Sequence, residues 1–191
     1  MKDKIITWGL GGLLTVLIGL NVWWFMTRGQ SQHALLDKPA PEIQLPLLGA
    51  VGGAGEAGAF RLRDHRGHVV LLDFWAVYCG PCKRQMPILE NIKGELKGES
   101  FEIISVNTDD PRDADRVERV SRYVSAGGYS FPIALDSGEA GYQFGVERIP
   151  TLVLVDKEGV VRYVHTGLSS QSDLTAQIRK WLDAAPKGGG A

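Results

Sequence analysis

Two cysteines, Cys79 and Cys82, separated by a Gly-Pro pair, are the residues of this chain best suited to chemistry. They follow the apolar run Val69–Trp75, which is typical of a buried strand, and they precede a segment of helix-forming residues. Pro81 suits the first turn of a helix, where its missing N–H costs nothing. Cys79 is therefore expected at the helix N-terminus, where unpaired N–H groups and the helix dipole favour a thiolate.

This position predicts thiol–disulfide exchange. Lowering a thiol pKa from about 8.5 to about 7 makes roughly half of it ionised at neutral pH and requires about 2 kcal/mol. A partly buried helix N-terminus supplies up to about that much. We expect Cys79 to attack a disulfide and Cys82, one helical turn further, to resolve the mixed disulfide. The alternatives are a structural disulfide or half of a zinc site, although the chain holds no second cysteine pair.

The segment around the cysteines resembles thioredoxins, and more closely the membrane-anchored thioredoxin-like proteins of the TlpA/ResA type. The shared pattern is a strand ending in Phe-Trp-Ala, two further residues, the two cysteines, a basic residue and a later proline. In this chain the pattern comprises Phe74, Trp75, Ala76, Cys79, Cys82, Lys83 and Pro87. The resemblance covers residues 39–184 and implies a thioredoxin fold. That fold is a three-layer α/β/α sandwich around a mixed central sheet, here with an N-terminal β-hairpin extension.

The resemblance also implies roles for residues around the cysteines. Pro150 aligns with a proline held in cis beside the disulfide, where it would expose the backbone of Ile149 to an extended substrate. Asp73 aligns with a buried acid, and burial raises a carboxyl pKa, so Asp73 would relay the proton of Cys82. The alternatives are a trans proline at a strand start and an exposed aspartate. We assign catalytic roles to Cys79, Cys82, Asp73 and Pro150, and substrate contacts to Trp75, Tyr78, Gly80, Pro81, Ile149 and Thr151.

Three residues depart from the TlpA/ResA pattern. Gln85 stands where Glu is common, Asp73 where Asn is common, and Tyr78 where Trp is usual. The proton-handling acid is therefore expected at the thioredoxin position. The reaction class is unaffected, whereas substrate specificity does not carry over from the resemblance. The Gly-Pro pair between the cysteines resembles the reducing members of the superfamily.

Hydrophobic periodicity predicts the elements that position these residues. Strands are predicted at residues 42–48, 59–63, 69–75, 101–106, 131–135, 152–155 and 160–165. Helices are predicted after the cysteines, at 113–126 and around 174–182, with a short helix or turn at 137–144 and a disordered tail at 185–191. Four arginines of the second helix region alternate with acidic residues, which favours a solvated face over a binding surface. These are Arg112, Arg116, Arg119 and Arg122.

The N-terminal region predicts a membrane anchor over residues 1–28, followed by a polar tether over residues 29–38. The run Ile5–Thr27 has no charged residue and as a helix would span about 34 Å, against a hydrocarbon core of about 30 Å. Trp8 and Trp23–Phe25 lie near its two ends, as interfacial aromatic residues do. The alternative is a cleaved signal peptide. We expect a single-pass protein of the bacterial inner membrane, monomeric, with its domain facing the periplasm.

Composition limits the partners. The net charge of −1, from 21 basic and 22 acidic residues, provides no field that would recruit nucleic acid. Only two cysteines occur, which is compatible with an oxidising compartment, and the four histidines have no metal-like spacing. We therefore expect no metal and no cofactor beyond the redox-active Cys79–Cys82 disulfide. The resemblance implies a membrane thiol-reductant transporter as electron donor, and client proteins with disulfides, such as cysteine pairs awaiting haem or copper.

The sequence thus predicts a membrane-anchored, extracytoplasmic thiol:disulfide oxidoreductase that reduces client disulfides. Two alternatives remain open. One is a disulfide-forming oxidase, which would use the same residues in the opposite direction. The other is a copper-handling protein in which Cys79 and Cys82 are soft ligands, with Met86 the nearby candidate for a third ligand.

Overall fold

The structure is a computed structural model that describes residues 34–49 and 58–184. Its strands are β1 (Gln44–Pro46), β2 (Ala59–Arg61), β3 (Val69–Trp75), β4 (Phe101–Asn107), β5 (Ile133–Leu135), β6 (Thr151–Val155) and β7 (Val161–Thr166). Its α-helices are α1 (Gly80–Glu95), α2 (Arg116–Gly127), α3 (Glu139–Gln143) and α4 (Gln171–Leu182), and a 3₁₀ helix spans Leu62–His65. The predicted order of strands and helices is therefore confirmed over the described residues.

Five strands form a mixed sheet in the order β5-β4-β3-β6-β7. Strand β3 is central: it runs parallel to β4 and antiparallel to β6, and all of its residues are buried. β1 and β2 pair separately as an antiparallel hairpin, which confirms the predicted N-terminal extension. Because the cysteines follow β3 directly, the central strand places them at the middle of one end of the sheet.

The two faces of β3 contact different layers, because side chains alternate along a strand. Leu71 and Trp75 face a core that contains residues of α1, α2 and α4. Leu72 and Phe74 face a second core, made with the β1–β2 hairpin and the region around α3. The second outer layer is thus built mainly from the hairpin and one short helix. Asp73 lies in register with Leu71 and Trp75, so it points toward the side of the sheet that α1 covers.

The segments on either side of β1 each pair with one edge strand of the sheet. Asp37 donates its N–H to the Val161 carbonyl of β7 at 2.8 Å, and Val161 donates back to Lys38 at 2.9 Å. Beyond β1, the Leu48 N–H donates to the Ile133 carbonyl of β5 at 2.7 Å. Unpaired edge strands are sites of aggregation, and these bonds reduce the exposed edge on both sides.

Element boundaries differ from the predictions where local chemistry competes with periodicity. The predicted strand through residue 63 ends at Arg61 and gives way to the 3₁₀ helix. Helix α2 begins three residues later than Asp113, because the Asp113 carboxylate accepts the Asp115 N–H at 3.0 Å and forms a turn there. Strand β5 begins after Pro132, which has no N–H to donate to a neighbouring strand.

The predicted membrane helix, the loop residues 50–57 and the predicted tail at 185–191 lie outside the described residues. Within residues 34–49 and 58–184, no helix is both long enough and apolar enough to cross a membrane.

Candidate active site

The junction of β3 and α1 places both cysteines. The Cys79 N–H donates to the Ala76 carbonyl at 3.1 Å, which closes the turn after β3. Cys79 is then the N-cap of α1, and its Sγ accepts the Cys82 N–H at 3.1 Å, as a capping hydroxyl would. Pro81 lies in the first turn. The two cysteines form a disulfide with a Cα–Cα distance of 5.2 Å. The predicted position of Cys79 at the helix N-terminus is confirmed.

The two sulfurs differ in access. Cys79 is 7% exposed and Cys82 is 0% exposed. A thiol or disulfide of another protein can reach only the Cys79 side of the bridge in this conformation. This asymmetry fits an attacking Cys79 and a shielded, resolving Cys82.

Several predicted substrate-contacting residues surround the exposed sulfur. Tyr78 is 75% exposed, and Gly80 and Pro81 are also exposed. All three are next to Cys79 or within two residues of it in sequence, so they form the rim of the site. A large, flat, exposed aromatic side chain beside a reactive sulfur is suited to contact with another polypeptide.

The loop before β6 completes the rim from the neighbouring strand. The last β3–β6 pair is Phe74 with Thr151, so one further step of this register places Pro150 beside Trp75. The Ile149–Pro150 peptide bond is cis, as predicted. Among the described residues, the Ile149 N–H and carbonyl have no hydrogen-bond partner. They are therefore free to pair with an extended segment of another chain.

Trp75 and Thr151, which the sequence suggested as substrate contacts, are both buried. The Trp75 ring packs against Tyr123 with a centroid distance of 5.4 Å. Thr151 pairs with strands on both sides, and its hydroxyl donates to the Arg148 carbonyl at 2.6 Å. This burial does not fit the substrate contacts expected of Trp75 and Thr151, because neither side chain reaches the surface. Both residues instead support the site from within the fold.

Asp73 is fully buried, as predicted. Its Oδ2 accepts the Ser105 hydroxyl at 3.2 Å, and its Oδ1 has no partner among the described residues. Burial raises the pKa of Asp73 to about 7, and the Ser105 hydrogen bond opposes that rise. A carboxyl group with this pKa holds and releases a proton near neutral pH, as a proton relay requires.

Sequence reasoning missed the loop between β7 and α4. Gly167 donates its N–H to the Pro150 carbonyl at 2.8 Å, and Ser169 donates its N–H to the buried Gln85 side chain at 2.8 Å. Leu168, which is 44% exposed, therefore lies between the cis-proline loop and α1. An exposed leucine at this place extends the apolar rim. No local pattern marks it, because its position depends on two distant hydrogen bonds.

A second group that sequence reasoning missed lies at the end of β4. Asn107, Asp109 and Arg116 are buried, and Asn107 is hydrogen-bonded to both of the others. The prediction of a solvated arginine face is wrong for Arg116, which is only 5% exposed, whereas Arg112 remains exposed. Arg116 is buried because its guanidinium finds oxygen acceptors at the ends of β4 and β5.

The described residues offer little for a metal. They contain no group of three or more His, Cys, Asp or Glu side chains placed to bind one. Met86, the candidate third copper ligand, lies on α1 and is fully buried in the hydrophobic core. His65 is half-buried, and its Nδ1 lies 2.8 Å from Glu102 Oε2. The two sulfurs are therefore the reactive centre that the described residues present.

Comparisons with known proteins agree with this geometry. The family model described as Redoxin matches residues 36–178 of the chain. The chain belongs to the Redoxin family. It is 39% identical over 113 residues to the thiol-disulfide oxidoreductase ResA of Halalkalibacterium halodurans, a match covering 59% of this chain and 61% of that protein. It is 32% identical over 124 residues to ResA of Geobacillus thermodenitrificans, covering 64% of this chain and 68% of that protein.

A solved structure shows the same fold. It is a putative thiol:disulfide interchange protein DsbE from Chlorobium tepidum, with a TM-score of 0.65 and 30% identity. The match covers 77% of this chain and 99% of that one. Together with the cysteine geometry, these similarities show that the chain is a thioredoxin-like oxidoreductase of the TlpA/ResA type.

Proposed function

We propose that this protein is a membrane-anchored, extracytoplasmic thiol:disulfide oxidoreductase that reduces disulfides of client proteins. The observation that carries the proposal is the Cys79–Cys82 pair at the start of α1, with one sulfur accessible and the other enclosed. Asp73, on the same side of the sheet as α1, supplies a proton acceptor suited to neutral pH.

The reduced protein begins the reaction as a Cys79 thiolate and a Cys82 thiol. The thiolate attacks one sulfur of a client disulfide, so that the other client sulfur leaves as a thiolate and a mixed disulfide forms. The ionised Asp73 carboxylate then accepts the Cys82 proton. Cys82 attacks the Cys79 sulfur, and the second client sulfur leaves. The client gains two electrons, and the protein ends as the Cys79–Cys82 disulfide.

The exposed rim supports a polypeptide client. The Ile149 N–H and carbonyl, which have no partner within the described part of the chain, suit backbone hydrogen bonds to an extended segment, while Tyr78 and Leu168 offer apolar contact. The Tyr78 and Leu168 side chains would then help to hold the client disulfide near Cys79. The clients we propose are proteins whose cysteine pairs must be reduced before they bind haem or copper, because the TlpA/ResA resemblance suggests them. The same resemblance supports a membrane thiol-reductant transporter as the electron donor, and we propose a monomeric enzyme.

The proposed location depends on the N-terminal sequence. An uncharged run from Ile5 to Thr27 is long enough to cross a bilayer, and the tether predicted over residues 29–38 would follow it, although Asp37 and Lys38 at its end already bond to Val161 of β7. Placement of the domain in the periplasm fits a chain whose cysteines are both in the redox pair.

Substrate trapping in the native membrane tests the proposal. Cys82→Ser cannot resolve the mixed disulfide, so we expect client proteins to accumulate linked to Cys79 and to be released by a reductant. Cys79→Ser is the matched control, because it loses the attacking sulfur and should trap nothing above background. Absence of any Cys79-linked protein, in cells shown to require the wild-type chain, would contradict the catalytic function.

A further inference from the structure

A chain of polar side chains joins helix α2 to the turn that carries Cys79. Arg116 donates from Nε to Asn107 Oδ1 at 3.0 Å and from Nη2 to the Asn107 carbonyl at 2.5 Å. Asn107, the last residue of β4, donates from Nδ2 to Asp109 Oδ2 at 2.7 Å. The same Asp109 oxygen accepts the Val77 N–H at 3.0 Å. The connection therefore ends in the turn between β3 and α1.

The composition of this network is unusual for a stabilising device. Asn107 is 0% exposed, Asp109 2% and Arg116 5%, and burying charges is costly unless they are well paired. Arg119 and Arg122, on the same helix, pair with carboxylates, whereas no ion pair among the described residues involves Arg116. The Arg116 guanidinium instead donates to neutral oxygens, which include the Asp136 carbonyl at 2.8 Å. A planar guanidinium that donates to three oxygens fixes their relative positions, so one consequence of the network is the geometry it imposes.

That geometry concerns the backbone just before the reactive sulfur. Thr108 donates to the Trp75 carbonyl from both its N–H, at 2.7 Å, and its hydroxyl, at 3.1 Å. Asp109 holds the Val77 N–H, and Cys79 follows as the cap of α1. The end of β4 thus fixes the turn at two successive points.

We propose that Arg116, Asn107 and Asp109 are positioning residues for thiol–disulfide exchange, which hold the turn so that the Cys79 sulfur stays over the N-terminus of α1. This inference rests on the proposed function and adds residues from outside the cysteine helix. A misplacement of about 1 Å at a reacting centre costs roughly 100-fold in rate. Charge acts in the same direction: without Arg116, the Asp109 carboxylate is left uncompensated close to the Cys79 turn and disfavours a thiolate there.

Substitution of Arg116 in the full-length, reduced protein tests the proposal. With Arg116→Met, we expect alkylation of Cys79 at pH 7 to slow about fivefold, because a rise of one unit from a pKa of about 7 lowers the thiolate fraction from roughly one half to roughly one tenth. We also expect faster hydrogen exchange at the Val77 amide, because its acceptor is less firmly held. The matched control is Arg119→Met, which removes the same charge from an exposed ion pair of the same helix and should leave both measurements unchanged.

The outcomes separate positioning from a purely structural role. If Arg116→Met folds, and both the alkylation rate of Cys79 and the hydrogen-exchange rate of the Val77 amide equal those of the wild type, the proposal is overturned. If Arg116→Met does not fold, Arg116→Lys decides: it retains the charge but replaces the planar guanidinium, which donates to the two Asn107 oxygens and to the Asp136 carbonyl, with a single ammonium group. Alkylation at least threefold slower than wild type then supports positioning, and the wild-type rate overturns it. Alkylation needs no client protein, so a failure of the proposed client reduction leaves this result interpretable.

Discussion

Asp73 and Cys79 lie close together along the chain, yet their surroundings act on them in opposite ways. Burial favours the neutral form of Asp73 and raises its pKa to about 7, with Ser105 as the partner that limits the rise. Cys79 instead caps α1, where backbone N–H groups favour the thiolate. A proton acceptor and a nucleophile of this kind can both operate at neutral pH.

The raised pKa of Asp73 predicts how stability depends on pH. Native Asp73 keeps its proton up to a pH of about 7, whereas the unfolded residue loses it near 3.8. The native state therefore binds the extra proton between these values, and stability falls as pH rises through this window. Asp73→Asn removes this loss of stability, because the amide side chain does not titrate. We expect the oxidised variant to be more stable than wild type at pH 8, by up to about 4 kcal/mol, and little changed at pH 4.

Denaturant unfolding of both proteins at the two pH values checks this expectation. If the difference in unfolding free energy between Asp73→Asn and wild type is the same at pH 4 and pH 8, a buried Asp73 carboxyl with a raised pKa is contradicted. Ser105→Ala is a useful companion variant, because it removes the hydrogen bond that lowers the Asp73 pKa and should move the window to higher pH.

At the scale of elements, the site is assembled by contacts between α1 and segments that are distant in sequence. Gln85 is on α1, and its Oε1 accepts the Ser169 N–H from the loop before α4. The same loop donates through Gly167 to the Pro150 carbonyl. The helix that carries the disulfide, the cis-proline loop and the loop with Leu168 are therefore connected by two hydrogen bonds.

Gln85→Ala tests this connection. The substitution leaves the buried Ser169 N–H without an acceptor, which we expect to lower the free energy of unfolding by about 1–3 kcal/mol. It should also weaken client reduction, since the loop that holds Leu168 is released. Denaturant unfolding measures the first effect. Gln171→Ala is the control, because that side chain is exposed and its contact with Glu95 is 3.4 Å long. Equal stability of the two variants would contradict a structural role for Gln85.

The sequence predicted the elements that follow local rules and missed those that depend on distant partners. Strand β3 is an apolar run interrupted only by Asp73, and α1 has Pro81 in its first turn, so both were predictable. The alternation of Arg116 with acidic residues favoured a solvated face, because nothing nearby in sequence reveals acceptors at Asn107 and Asp136. Leu168 was missed for the same reason. The burial of Trp75 and Thr151 depends on neighbouring strands and helices rather than on their own segments.

At the scale of the whole molecule, the described domain pairs part of each sheet edge and presents its reactive end to solvent. Asp37 bonds to β7 and Leu48 bonds to β5, while Tyr78 is exposed beside Cys79 at the end of the sheet.

Membrane anchoring predicts the behaviour of the full chain in cells. We expect the full-length protein to remain with the inner membrane after an alkaline carbonate wash and to be extracted by detergent. A variant without residues 1–28 should appear in the soluble fraction, because it lacks the uncharged segment Ile5–Thr27. A full-length protein recovered in the soluble fraction with its N-terminus shortened would instead indicate a cleaved signal peptide.

The most direct measurement of the central chemistry is the pH dependence of alkylation at Cys79 in the fully reduced protein. A sulfur held at the N-terminus of α1 should ionise with a pKa well below that of an ordinary cysteine, at about 7. Oxidation of the same sample should restore the Cys79–Cys82 bridge. A Cys79 thiol that titrates near 8.5, together with a pair that does not close, would contradict the assignment of this site.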